Sequence, residues 1–342
     1  MVSPVVGAAL FVGAAVTSAA LIVVLRPWLK RYALARPNAR SSHTAPTPQG
    51  AGIAVIAAAL GATSAFAWAA LGAGGDPNLL PLVLAIIGLA VIGLVDDIMP
   101  LSARLRLLVQ FAAAAGLVLA LPAGARALPF LPHVMELAIL LVGLVWFVNL
   151  TNFMDGIDGI TVAAITPTLA GIALLAANAT AHSDLDIVMA LALAGALVGF
   201  YPFNRHVARA FLGDVGSLAI GGITGYLLLR LACSGHLIPA LILPLYYLAD
   251  TGVTLFLRWR RGAQLSQAHR EHFYQRAQAA GLMVPEIVQR VFGLNCGLAL
   301  IAVAVGHMTT LWMQLLWCAA AGLLTAATLR SFASGTRFSA LD

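Results

Sequence analysis

Long apolar runs separated by short polar breaks set the pattern of this chain. Eleven runs reach or approach the roughly 20 residues that cross a bilayer as a helix. They cover 4–25, 51–71, 79–95, 107–122, 134–151, 160–178, 185–203, 215–231, 237–257, 288–307 and 311–330. The longest gaps between them are 26–50 and 258–287, too short for a soluble domain. The expected fold is therefore all-α: one polytopic membrane domain over residues 1–342, with about 11 transmembrane helices and ten as the lower count.

Composition points the same way. Hydrophobic residues make up 61% of the chain and charged residues 9%, and the mean hydropathy is +0.95. Cys233, Cys296 and Cys318 are scattered without metal-binding spacing and read as packing residues. The first run has no basic segment before it, and its positive charge follows it at Arg26, Lys30, Arg31, Arg36 and Arg40. That predicts an uncleaved helix with its N-terminus outside.

With the N-terminus outside, the inner segments are 26–50, 96–106, 152–159, 204–214, 258–287 and the tail. Every Lys and Arg except Arg126 and Arg230 falls in or beside one of them, as the positive-inside rule requires. The net charge of +6 is then a matter of orientation. Nucleic acid is not an expected partner, because no basic run is interleaved with aromatics. Asp76, Glu136, Asp184 and Asp186 fall outside, dispersed. Asp96, Asp97, Asp155, Asp158 and Asp214 fall at or just past span ends on the inner face, where they can share one site.

The motifs around these acids have both bland and functional readings. Asp96 and Asp97 in "GLVDDIMP" (93–100) could be merely solvated, yet two close carboxylates attract a divalent cation or share a proton. Asn149, Asn152, Asp155 and Asp158 in "NLTNFMDGIDGI" (149–160) recur every three residues, which on a helix gives one face suited to a polar ligand. A helix cap would need one such residue, not four. In "YPFNRHVARAFLGDVGS" (201–217), Asp214 and Ser217 could form a helix cap, while Asn204, Arg205, His206 and Arg209 suit a phosphate at a helix start. Phe211 could pack or stack on a base. "RWRRGAQLSQAHREHFYQ" (258–275) offers Arg258, Arg260 and Arg261 as headgroup anchors, with His269 and His272 as donors to a phosphate or sugar. Asp250, inside the ninth run, either pairs with an arginine or lines the site.

Inner-face carboxylates for Mg²⁺, with Mn²⁺ as a substitute, and Arg and His for phosphate oxygens describe a membrane-embedded phosphoryl transferase as a class. The competing class is a secondary transporter for an anionic solute. That class would place ionisable groups near mid-bilayer within two repeated halves; here only Asp250 lies inside a run, and no repeat is visible. A lipid-binding scaffold would not need aspartates converging on one side.

Taken together, "VDD" (95–97), "NFMDGIDG" (152–159), "FLGDVGS" (211–217), "AHREHFYQ" (268–275) and "RSSHTAPTPQGAGIAV" (40–55) resemble the polyprenyl-phosphate N-acetylhexosamine-1-phosphate transferases, in order and over nearly the whole chain. The resemblance implies transfer of a sugar 1-phosphate from a UDP-N-acetylamino sugar, such as UDP-N-acetylglucosamine, to undecaprenyl phosphate, with release of UMP. It implies Asp214 as principal Mg²⁺ ligand with Asp97, and Asp96 as base toward the lipid phosphate beside Asp97. Around the nucleotide and sugar it implies Asn149, Asn152, Asp155, Asp158, Asn204, Phe211, His269, Arg270 and His272, with Phe211 on uracil. It further implies a bacterial inner membrane protein with its active site toward the cytoplasm.

Two departures refine the resemblance. Gln49 and Ala51 stand where relatives often carry a basic residue and a glycine. The cell-wall branch has consecutive histidines where this chain has "AHREHFYQ", which favours the branch that starts O-antigen or exopolysaccharide, as part of lipopolysaccharide and cell-envelope synthesis. Small residues along the spans permit close packing, a homodimer included, without specifying it.

Overall fold

The computed structural model describes residues 2–35, 46–72, 78–177, 184–264 and 269–334. Asp76, the first part of the 40–55 motif and Ala268 of "AHREHFYQ" lie outside them. The described residues form helices α1 (Pro4–Tyr32), α2 (Gly52–Leu71), α3 (Leu79–Ile98), α4 (Ala103–Leu119), α5 (His133–Phe153), α6 (Ile160–Ala177) and α7 (Asp184–Asn204). They continue with α8 (Asp214–Cys233), α9 (Leu237–Ile242), α10 (Leu245–Arg260), α11 (Phe273–Ala279), α12 (Val284–Gly306) and α13 (Leu311–Ser334). The all-α expectation is borne out.

Nine of these helices are long and apolar enough to cross a bilayer. Two expected spans take another form. The fourth is α4, a helix of 17 residues. The ninth is broken near Pro244 into α9 and α10. A broken helix leaves carbonyls unpaired, which is tolerable at membrane depth only if other groups satisfy them. Here the Thr168 hydroxyl of α6 shares its hydrogen between the Ala164 carbonyl of its own helix at 3.0 Å and the Leu243 carbonyl at 3.3 Å.

The helix starts follow from local chemistry. Ser3 caps α1 ahead of Pro4, accepting from the Val6 N–H at 3.3 Å, and Ser102 does the same for α4. Packing then relies on small residues, since lipid supplies no hydrophobic drive between helices. On α7, a β-carbon at Gly195 or Gly199 would stand 2.1 and 2.0 Å from the Phe11 and Ala15 carbonyls of α1.

The central element is α8. Its most apolar stretch is 94% buried, against 17% for α1 and 11% for α13. α3 and α5 pack along α8, and α2 meets it near its start.

At one end of the bundle, an antiparallel ribbon of β1 (Leu34–Ala35) and β2 (Thr47–Pro48) was not legible as an apolar run. It carries the chain to the start of α8. The Phe211 N–H donates to the Pro48 carbonyl at 2.8 Å, the Ala51 N–H to the Phe211 carbonyl at 3.0 Å and the Gly52 N–H to the Leu212 carbonyl at 2.9 Å. The start of α2 is thereby joined to the segment that leads into α8.

At the opposite end, the two arginines that broke the positive-inside pattern are neutralised. Arg230, ending α8, grips both oxygens of buried Asp186 at 2.7–3.1 Å. Arg126 bridges to buried Glu136, which also accepts the Ala127 and Leu128 N–H groups at 2.7 and 2.8 Å.

Candidate active site

The site forms where α3 ends and α2 and α8 begin. The approach is close enough to require glycine. A β-carbon on Gly52 would lie 2.3 Å from the Gly216 Cα, and one on Gly93 would lie 2.3 Å from the Asp214 carbonyl. Gly213, at φ 76°, turns the chain into α8.

A helix start presents N–H groups without intrahelical partners and a partial positive charge. Asp97 of α3 takes two of them, the Asp214 N–H at 2.9 Å and the Val215 N–H at 3.1 Å, and the Gln49 amide also donates to it. The cap of α8 therefore comes from a distant helix. This corrects the reading of Asp214 and Ser217 as a local cap: Ser217 Oγ accepts from Asn152 Nδ2 at 2.8 Å, and the Asp214 carboxylate is turned toward other acids.

Asp214 accepts the second hydrogen of the Asn152 amide at 2.8 Å. Across from it, Arg106 Nη1 lies 2.7 Å from Asp96 and 3.8 Å from Asp214. The other oxygen of Asp96 accepts the Leu101 N–H at 2.7 Å. Asp155 sits beside this group, held by the Thr161 hydroxyl at 2.5 Å. Burial, with the nearby charges of Asp214, Asp97 and Asp158, outweighs that hydrogen bond and pushes Asp155 up to about 7. Four carboxylates thus gather here, two of them, Asp96 and Asp214, against the Arg106 guanidinium.

The three-residue spacing of Asn149 to Asp158 does not build a single face, because α5 ends at Phe153 and the rest is loop. Asn149 donates to Gln110 of α4 at 2.7 Å, Asn152 reaches Asp214, Asp155 reaches Thr161, and Asp158 reaches His206 at 2.9 Å and the Ala208 N–H at 3.1 Å. Asn204 joins Asp158 in bracing the loops, accepting the Gly159 N–H at 2.8 Å and donating to the Ala210 carbonyl at 3.1 Å. Asn152 and Asp155 therefore belong to the cluster, whereas the side chains of Asn149, Asp158 and Asn204 are engaged with its supports. Phe211 is half-buried beside Leu212 and Gly213 at the approach to α8.

The histidine loop docks against the loop after α5. A β-carbon on Gly156 would lie 2.0 Å from the Tyr274 hydroxyl, which donates to the Phe153 carbonyl at 3.0 Å. His272 stacks on Tyr274 at 5.9 Å and on His269 at 4.9 Å. Half-buried His269 is brought down to about 4 by burial, then by His272 and Arg258, so it is neutral at pH 7. Arg270 is exposed on the same loop. The expected surface anchor Arg258 is instead buried and tied to Glu271. Sequence reasoning also missed Gln49, Arg106, Thr161 and Tyr274 as members of the site. Of these, Gln49 and Tyr274 lay inside motifs that the sequence had singled out.

Among the described residues, no three His, Cys, Asp or Glu side chains stand ready to cage a metal. Mg²⁺ needs no such cage. It takes one or two carboxylates, keeps waters and completes its shell with substrate phosphates, which suits this cluster of acids.

Residues 79–232 match glycosyl transferase family 4, a stretch that contains the acid cluster. The chain is 33% identical over 230 residues to a phospho-N-acetylmuramoyl-pentapeptide-transferase of Synechococcus sp., covering 61% of this chain and 64% of that protein. It is 32% identical over 213 residues to a decaprenyl-phosphate N-acetylglucosaminephosphotransferase of Mycobacterium tuberculosis, covering 55% and 51%. It is 24% identical over 313 residues to a probable undecaprenyl-phosphate N-acetylglucosaminyl 1-phosphate transferase of Bacillus subtilis, covering 88% and 86%. The first two matches span between half and two thirds of those relatives' own length.

Proposed function

We propose, because this chain belongs to the polyprenyl-phosphate hexosamine-1-phosphate transferase family, that it moves an N-acetylamino sugar 1-phosphate from a UDP-sugar to undecaprenyl phosphate. The observation that carries the reading is the gathering of Asp96, Asp97, Asp155 and Asp214 around the start of α8, with Asn152 and Arg106 among them.

In this reading an acceptor phosphate oxygen attacks the sugar-bearing phosphorus of the donor. The new P–O bond forms as the bond to UMP breaks, and UMP leaves with the electron pair. Asp214 and Asp97 would hold Mg²⁺, which when bound neutralises diphosphate charge. Asp96 faces the acceptor as its base and meanwhile holds Arg106 within reach of a phosphate. Asn152 orients Asp214 through a hydrogen bond, and Asp155 adds negative charge beside it. Phe211 offers a ring to uracil, and Asn204 and Asp158 keep its loop in place. Asn149, through Gln110, fixes the last turns of α5. His269, Arg270 and His272 face the sugar and diphosphate from the docked loop.

The same reading places the site at the cytoplasmic face of a bacterial inner membrane, where UDP-sugars are available. Separated histidines in "AHREHFYQ" favour the branch that starts O-antigen or related polysaccharide. The test is UMP release by the purified protein given undecaprenyl phosphate, Mg²⁺ and a panel of UDP-amino sugars. Release with one of them, lost on chelation, is the expected result. No release with any, together with ion-coupled uptake of an anionic solute, would favour a transporter.

A further inference from the structure

Asp250 has no part in the chemistry above, yet it is wholly buried. Its Oδ1 lies 3.1 Å from His272 Nδ1, accepts the Phe273 N–H at 3.1 Å and takes the Thr254 hydroxyl at 3.4 Å. Its Oδ2 is buried without a hydrogen-bond partner among the described residues. A carboxylate held in this way is costly, and packing alone does not account for it.

A carboxylate facing one ring nitrogen draws the imidazole proton to that nitrogen and fixes the ring's orientation. Nδ1 of His272 is thereby committed, which leaves Nε2 as its polar atom without a side-chain partner among the described residues. The ring is further held by His269 on one side, by Tyr274 on the other and by Phe153 at 6.5 Å. Since Phe153 follows Asn152, whose amide holds Asp214, the oriented ring is connected to the acid cluster through one short segment.

We propose that Asp250 is a positioning residue, acting through His272 to present Nε2 to the donor's sugar diphosphate. The proposal rests on the transferase reading above. A purely structural role is the competing account, because the Phe273 N–H is the first of α11 and Asp250 also satisfies it.

A double-mutant cycle separates the two. UMP release is measured for wild type, Asp250→Asn, His272→Ala and the pair, with KM for UDP-sugar and for undecaprenyl phosphate read separately and the melting temperature recorded. The expected loss for Asp250→Asn is about 10–100-fold in kcat/KM for the nucleotide sugar, as for other residues that orient a working histidine, with the acceptor KM unchanged. The double variant is expected to match His272→Ala, and Asp250→Glu to recover part of the loss. If the two losses multiply, or only the melting temperature falls, the positioning role is overturned while the transferase reading stands. Wild type that releases no UMP would overturn both.

Discussion

The two ends of α8 handle charge in opposite ways. At its last turn Arg230 meets Asp186 in a bidentate pair, one positive charge against one negative. At its first residue Asp214 joins Asp96, Asp97 and Asp155, and among the described residues Arg106 meets Asp96 at 2.7 Å and Asp214 at 3.8 Å. Both ends are costly to place in a membrane protein. The balanced end is complete in itself, whereas the other, among the described residues, gathers more negative than positive charge, which is the arrangement that the proposed cation and phosphate-bearing substrate would complete.

Substitutions at the two ends sharpen this contrast. Asp214→Asn keeps the shape and removes the charge, and is expected to lower UMP release by about a thousandfold or more, in line with loss of electrostatic stabilisation at a reacting centre, while the melting temperature stays the same or rises. Asp96→Asn should do nearly as much. At the other end, Asp186→Ala strands Arg230 and should cost about 3 kcal/mol of stability, with turnover per folded molecule unchanged. If Asp186→Ala killed turnover without unfolding, the division between the ends would be wrong.

A smaller effect lies in pH. Asp155, raised to about 7 chiefly by burial, binds more protons in the folded chain than in the unfolded one. Its contribution therefore falls as pH rises toward and through 7. Without divalent cation, the melting temperature at pH 8 should drop relative to pH 6.5 by more in wild type than in Asp155→Asn. Mg²⁺ should restore more at pH 8. His269, held neutral, pulls the other way below its ordinary value, so the difference between the two proteins is the quantity to read. The smallest effect is expected for Asp184→Asn, whose carboxylate accepts the Val2 N–H at 3.1 Å at the start of α7, away from the acid cluster. Its activity should stay within about twofold of wild type.

The bundle was legible because apolar length alone requires helices in lipid. The acids were legible as residues that sit at span ends. Their partnerships were not. Asn149, Asn152, Asp155 and Asp158 suggested a ladder, but the helix stops at Phe153 and each side chain finds a different neighbour. Asp97 capping α8 depends on a contact between residues 117 apart, which no local pattern encodes. Gln49 stood out as a departure from relatives, and its side chain binds Asp97. Arg126 and Arg230 looked like violations of an orientation rule, and tertiary pairing explains them.

Asp97 and Asp186 pin α8 at top and bottom, and its flanks are packed almost throughout. Such a column has no room to slide or rock. Turnover must then proceed around a stationary axle. Amide hydrogen exchange should find the middle of α8 the slowest to exchange.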